Sequence, residues 1–312
     1  MLSYFHEVRD ENVIYSVDKV VLTGRFLSGK PISVSKDVVC ENTGDIIPVK
    51  VSERVECGQL FLDSLSSFNY PFKYWIVNSP CPGHYKHNFR FFVFDDSTFY
   101  LGVGLGVPGD DNKNKWKLEF NPNKCGASVS LCYVISELKR YSTEWFLKDW
   151  DLAIDYPVLR ENCFLVKDKR KYTLIENSSS DKTEYLGNRH NAGFAKLYNK
   201  QIESKLNYPL TRLELTMEGL CDVSDIREKM PIVWCLNDLQ MTFSDDLLDK
   251  NDHVLFWAVL QQPNLLTSLS RRKREKIERT LSQHALQLGV NNKSLLAIIK
   301  QMEQYRQLLI PE

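Results

Sequence analysis

The 312-residue sequence predicts an α+β protein, with an antiparallel β-sheet core followed by a helical C-terminal region. Three observations carry this. Short β-branched and aromatic runs, separated by Gly, Pro, Asn and Asp, fill the first 218 residues. From about residue 220 the apolar spacing turns helical. Strands and helices are segregated, without the steady β-α-β alternation of a parallel sheet. The expected division is a strand-rich core over 1–218 and a helical region over 219–312. A chain this long can bury a sizeable core as one large domain or two ordinary ones.

The elements follow in order. Val38-Val39, 49–51, 74–77 and 89–94 read as strands. Gly102-Val-Gly-Leu-Gly106 reads as a loop or bulge rather than a phosphate cradle, because no clear helix start follows and the P-loop lysine is missing. Residues 115–120 alternate as a strand that Asn121-Pro122-Asn123 stops. Helical spacing predicts one helix over 128–147. Residues 150–156 alternate again. Short runs at 163–166, 172–175, 183–186, 193–200 and 209–217 then suggest an antiparallel meander. Helices are expected over 234–241, 247–261, 270–281 and 293–309.

Lys plus Arg and Asp plus Glu both number 40, so the net charge is zero and the chain is not coated in positive charge. The distribution is uneven: 219–252 carries three basic and eight acidic residues, 253–312 nine and four. A basic C-terminal part can bind phosphate backbones despite the neutral total. Eight scattered cysteines form no CxxC and read as small buried hydrophobes. His84-Tyr-Lys-His87 reads as surface or satisfied histidines. There is no run of 18 apolar residues and no leader pattern, which predicts a cytoplasmic chain with no membrane partner.

Period two sorts the polar residues onto faces. Lys117, Glu119 and Asn121 share one; Asp151, Ala153 and Asp155 another; Arg212, Glu214, Thr216 and Glu218 a third. If these strands are neighbours, Glu119, Asp151 or Asp155, and Glu214 could converge and hold a hard cation such as Mg²⁺ or Mn²⁺. The plainer alternative is that the acids wet a sheet face, paired with Arg and Lys. Lys196, Tyr198 and Lys200 also project together, and two lysines make a purely apolar setting for that tyrosine costly. A phenol between ammonium groups is a candidate nucleophile for a phosphodiester.

The blocks Lys117-Leu-Glu-Phe-Asn-Pro-Asn-Lys124, Trp150-Asp-Leu-Ala-Ile-Asp155, Tyr185-Leu-Gly-Asn-Arg189 through Leu197-Tyr-Asn-Lys200, and Arg212-Leu-Glu214 occur in order over about a third of the chain. In this order they resemble the Rep_trans family of replication initiators of Gram-positive rolling-circle plasmids. The resemblance implies a DNA nicking-closing enzyme that cuts one strand at the plasmid origin through a 5′-phosphotyrosine intermediate. Tyr198 would be the nucleophile, and Arg189, Lys196 and Lys200 would hold the scissile phosphate. A divalent metal (Mg²⁺ or Mn²⁺) would be required, with Glu119, Asp151 and Glu214 as its ligand candidates and Asp155 as the alternative or companion to Asp151. The implied partners are origin DNA, a host helicase and a second copy of the chain. Origin contacts would fall on Arg271, Arg272, Lys273, Arg274 and Lys276 of the basic helix. Residues 1–110 and the stretch His190–Gly193 depart from the family pattern. A conjugative relaxase with the same chemistry, and a non-catalytic DNA-binding regulator, are the competing readings.

Overall fold

A computed structural model describes residues 6–39, 46–67, 74–76, 85–93, 97–104, 114–126, 128–178, 180–189, 191–236, 249–261 and 263–309. Cys40, Cys81, His84, Pro108 and His190, and the expected helix beyond residue 236, lie outside them. The chain divides into two compact units with borders at 19/20, 148/149 and 304/305. Two of those borders fall inside long strands, rather than at the expected 218/219, because each strand is long enough to lend residues to both units.

In the first unit the strand order is Val13–Phe26, Lys115–Phe120, Thr98–Val103, His87–Phe92, Tyr74–Ile76, with each neighbouring pair antiparallel. Lys115–Phe120 alternates half-buried and buried residues, as its sequence predicts, and Trp116, Leu118 and Phe120 enter the core. Each such side chain contributes about 1.5–3 kcal/mol on burial. Phe91 stacks on Phe99 at 4.8 Å. Gly102 serves packing here: a Cβ would come within 2.5 Å of the Tyr85 ring. Lys30–Val39 pairs antiparallel with Ile46–Val55.

The helix expected over 128–147 is Val129–Tyr141, capped by the Ser128 side chain. Residues 142–147 instead begin the 15-residue strand Ser142–Tyr156. Tertiary packing decides this. Trp145 lies edge-on to Trp116 at 4.6 Å, and the Trp116 indole N–H donates to Ser142 Oγ at 2.8 Å. A second helix, Cys57–Ser67, went unpredicted; the Tyr133 hydroxyl donates to Ser64 O across to it.

In the second unit the order is Tyr172–Glu176, Lys182–Leu186, Ala195–Asn199, Thr211–Glu218, Ser142–Tyr156, then Val13–Phe26. The first four junctions are antiparallel, which bears out the meander from residue 172 onward, while the expected strand at 163–166 leaves it for a separate sheet. A small sheet of Cys163–Leu165, Val233–Leu236 and Ala285–Gln287 lies beside helices. Residues 234–236 are therefore strand, where helix was expected. Trp234 packs with Phe164, Phe256, Val259, Leu266 and Ile277. The helices Lys250–Gln261, Arg271–His284 and Asn292–Leu309 agree with the C-terminal expectation. Among the described residues no helix is long and apolar enough to cross a membrane.

Candidate functional site

The site is one face of the second unit's sheet, and the strand register builds it. Thr211–Glu218 buries Leu213, Leu215 and Met217 on one side and turns Arg212, Glu214 and Thr216 to the other. Residues directly opposite in adjacent strands share a face. Lys196 stands opposite Glu214, and Tyr198 opposite Arg212. On the other flank Asp155 stands opposite Arg212, Ala153 opposite Glu214 and Asp151 opposite Thr216. The polar face read from alternation is therefore one continuous patch.

Tyr198 is its centre. The ring is 4% exposed, yet its surroundings are polar. Its hydroxyl donates to Glu214 Oε1 at 2.6 Å and lies 3.3 Å from Glu203 Oε2. Lys196 Nζ sits 3.7 Å from the ring centroid, a cation–π contact, and Lys200 Nζ lies 5.9 Å from it. Lys196 also reaches Glu214 at 3.7 Å, and Lys200 pairs with Glu203. Burial, reinforced by the Glu214 charge and hydrogen bond, pushes the Tyr198 phenol above its ordinary value. Burial likewise raises the Glu214 carboxyl, against the opposing pull of Lys196.

The strand Ala195–Asn199 ends where the Asn199 side chain caps the one-turn helix Lys200–Ser204 by accepting from Ile202 N at 3.0 Å. Helical spacing then puts Lys200 and Glu203 on the side of the phenol. Glu203 escaped the sequence reading; an Asn N-cap directly after the tyrosine strand was the local signal for it. Asp18 and Lys19 escaped too, and no local signal existed: Asp18 meets Arg212, 194 positions along the chain.

The four expected metal ligands take the following places. Asp155 holds Arg212 in a fork, with Nε to Oδ1 at 2.6 Å and Nη2 to Oδ2 at 2.7 Å. Asp151 accepts from Thr216 Oγ1 at 2.7 Å and pairs with Lys19 at 2.8 Å. Glu214 serves Tyr198 and Lys196. Glu119 belongs to the first unit, where it pairs with Lys117 at 2.7 Å. Among the described residues no three Asp, Glu, His or Cys side chains cluster closely enough to hold one ion. Each of the four acids is engaged here by a lysine, arginine or hydroxyl partner.

Arg189 is exposed, on the loop between Gly187 and Gly193. That loop is pinned at its end: Gly193, at φ +81°, donates to Thr216 O, while its carbonyl accepts from Arg170. No contact brings Arg189 to Tyr198 among the described residues. On the basic helix Arg271, Arg272 and Lys273 are exposed and Arg274 is half-buried. Lys276 pairs with Asp252 at 2.5 Å, an ion pair that joins two helices.

No family model matches the chain. Two curated relatives, both named replication initiation protein and both from Staphylococcus aureus, are 25% identical over 177 residues and 23% over 182. The alignments cover 54% and 56% of this chain and 55% and 57% of the relatives, so the chain spans about half the length of the curated relatives it matches. Among solved structures, a rolling circle replication initiator protein from Geobacillus stearothermophilus aligns with 87% of this chain and 96% of its own, at 12% identity and a TM-score of 0.37. The resemblance to replication initiators drawn from the ordered sequence blocks is borne out by the curated relatives, to which this chain is similar.

Proposed function

We propose that the chain initiates rolling-circle plasmid replication as a DNA nicking-closing enzyme, with Tyr198 as nucleophile. The observation that carries this is the 2.6 Å hydrogen bond from the Tyr198 hydroxyl to Glu214 beneath the Lys196 ammonium. A phenol needs a proton acceptor and a cationic setting to attack a phosphodiester, and both surround this oxygen.

In this reading the Tyr198 oxygen attacks the scissile phosphorus at a single strand of origin DNA. The phenol proton passes to Glu214 as the Oη–P bond forms. The P–O3′ bond breaks, and the 3′ oxygen leaves with a proton from water. The 5′-phosphotyrosine keeps the bond energy for the reverse attack that rejoins a strand. An ordinary phenol lies about 6 pKa units above a carboxyl, so prior transfer would cost ~8 kcal/mol. The proton therefore leaves during attack, as in general-base catalysis. Lys196 and Lys200 supply positive charge where the phosphate oxygens crowd. The divalent ion that the resemblance implies would supply further charge neutralisation. Homodimer formation, host helicase recruitment and origin contact by the basic helix belong to the same reading. A relaxase acting on a transfer origin would use the same groups.

The test uses purified protein and a supercoiled plasmid carrying the cognate origin, in Mg²⁺, in Mn²⁺ and in EDTA. Nicked circles bearing covalent protein are expected, with Tyr198→Phe abolishing nicking while a gel shift with the origin persists. The raised phenol pKa favours a second reading, a non-catalytic origin binder. A gel shift without nicking by the wild type would establish it, and nicking by Tyr198→Phe would remove Tyr198 from the chemistry.

A further inference from the structure

The helix Lys200–Ser204 has two working sides. Lys200 and Glu203 turn to the phenol. Gln201, Ile202 and the following Lys205 line a groove of about 430 Å³ together with Leu159, Arg160 and Glu161. Two of these walls are apolar and open to water: Leu159 is 44% exposed and Ile202 48%. The Arg160 side chain is fully buried. Its Nη1 donates to Cys163 O and its Nη2 to Glu184, but its Nε–H has no acceptor among the described residues. Its volume falls within the roughly 300–1,000 Å³ of small-molecule sites, and its lining mixes these apolar side chains with a larger share of polar ones, Glu161, Asn199 and Gln201 among them.

We propose that this groove seats one unstacked nucleobase of the DNA strand whose phosphate meets Tyr198. The inference rests on the reading of Tyr198 as a nucleophile toward DNA. A helix is about 10–12 Å across with its side chains. Single-stranded DNA advances at least ~3.4 Å per nucleotide. Two or three nucleotides therefore carry a strand from the phenol side of this helix to the groove side. A flat base between Leu159 and Ile202 covers the exposed apolar surface, and Gln201 and Lys205 offer hydrogen bonds to its edge. The groove would then contribute to the choice of nick position.

Titrating the full chain with dAMP, dCMP, dGMP and dTMP, while following backbone amides by NMR, tests this. At least one nucleotide should give saturable shifts at Gln201, Ile202 and Lys205, and Ile202→Ala should weaken that binding about fivefold. Ile202 is half exposed, so the variant keeps its fold, which a thermal melt verifies. Shifts reproduced by inorganic phosphate alone would make this a phosphate site and overturn the proposal. So would silence at these amides with all four nucleotides, or binding undiminished in Ile202→Ala. Plasmid nicking is scored separately. Nicking with a silent groove defeats the base site alone; a responsive groove without nicking defeats Tyr198 as nucleophile and leaves a nucleotide site.

Discussion

Glu214 does two things at the residue scale, and pH separates them. Its carboxyl is raised by burial, so the folded protein binds that proton more tightly than the unfolded chain. Stability from this group is full below the ordinary carboxylate pKa and is lost as pH rises through the folded value. Glu214→Gln is therefore expected to raise the melting temperature relative to wild type at pH 8 and to change it little at pH 4. Melts at the two pH values check the sign. Under the proposed mechanism nicking runs the opposite way, because only the ionised carboxylate can take the phenol proton. The wild-type rate should climb with pH through the raised value, and Glu214→Gln should lose a hundredfold or more in single-turnover nicking. Glu203 also contacts the hydroxyl, at the longer distance of 3.3 Å and on an exposed side chain. It is the weaker acceptor of the two.

The strand Ala195–Asn199 is held at the element scale from behind as well as from its neighbours. Arg160 Nη2 donates to Leu197 O at 3.2 Å and to Glu184 Oε2 at 2.6 Å. Glu184 in turn accepts from Leu165 N and the Tyr172 hydroxyl. The pair is almost wholly buried, at 0% and 3% side-chain exposure. Removing one partner of a buried pair leaves an uncompensated charge, at a cost of about 3–5 kcal/mol, whereas replacing both with apolar groups can be neutral. Arg160→Met alone should lower stability by about that amount in urea titration, and Arg160→Met with Glu184→Leu should recover only part of it, because Leu165 N and the Tyr172 hydroxyl then lose their acceptor. Register matters equally. A one-residue slip of Thr211–Glu218 would send Glu214 to the core and Leu213 to the phenol. Alternation in the sequence made the faces of this strand legible. It could not show that Asp155 spends both oxygens on Arg212, since that depends on which strand lies alongside.

Charge distribution matters most at the scale of the whole molecule. The neutral total conceals a basic C-terminal stretch, and the helix Arg271–His284 displays its first turn to solvent. Lys276, a turn further on, faces Asp252 and Asp249. On the proposed reading, DNA contact and helix packing therefore fall on different residues and can be separated. Replacing Arg271, Arg272, Lys273 and Arg274 with Gln should weaken origin binding and flatten its dependence on salt, by up to about 0.9 in log–log slope for each phosphate no longer neutralised. Lys276→Gln should instead lower thermal stability and leave that slope nearly unchanged. Fluorescence anisotropy across a salt series measures the first, and calorimetry the second.

Sequence pattern alone carried the antiparallel meander, the polar faces of its strands, the lysines flanking Tyr198 and the similarity to replication initiators. All of these are written in short-range periodicity or in contiguous blocks. Only the tertiary structure decided which acid meets the phenol, which acids are spent on arginine and lysine, and where the helix after Ser128 gives way to strand. Those outcomes depend on partners up to 194 positions apart, and a polar residue's neighbours across a sheet are set by strand order, which local pattern does not encode.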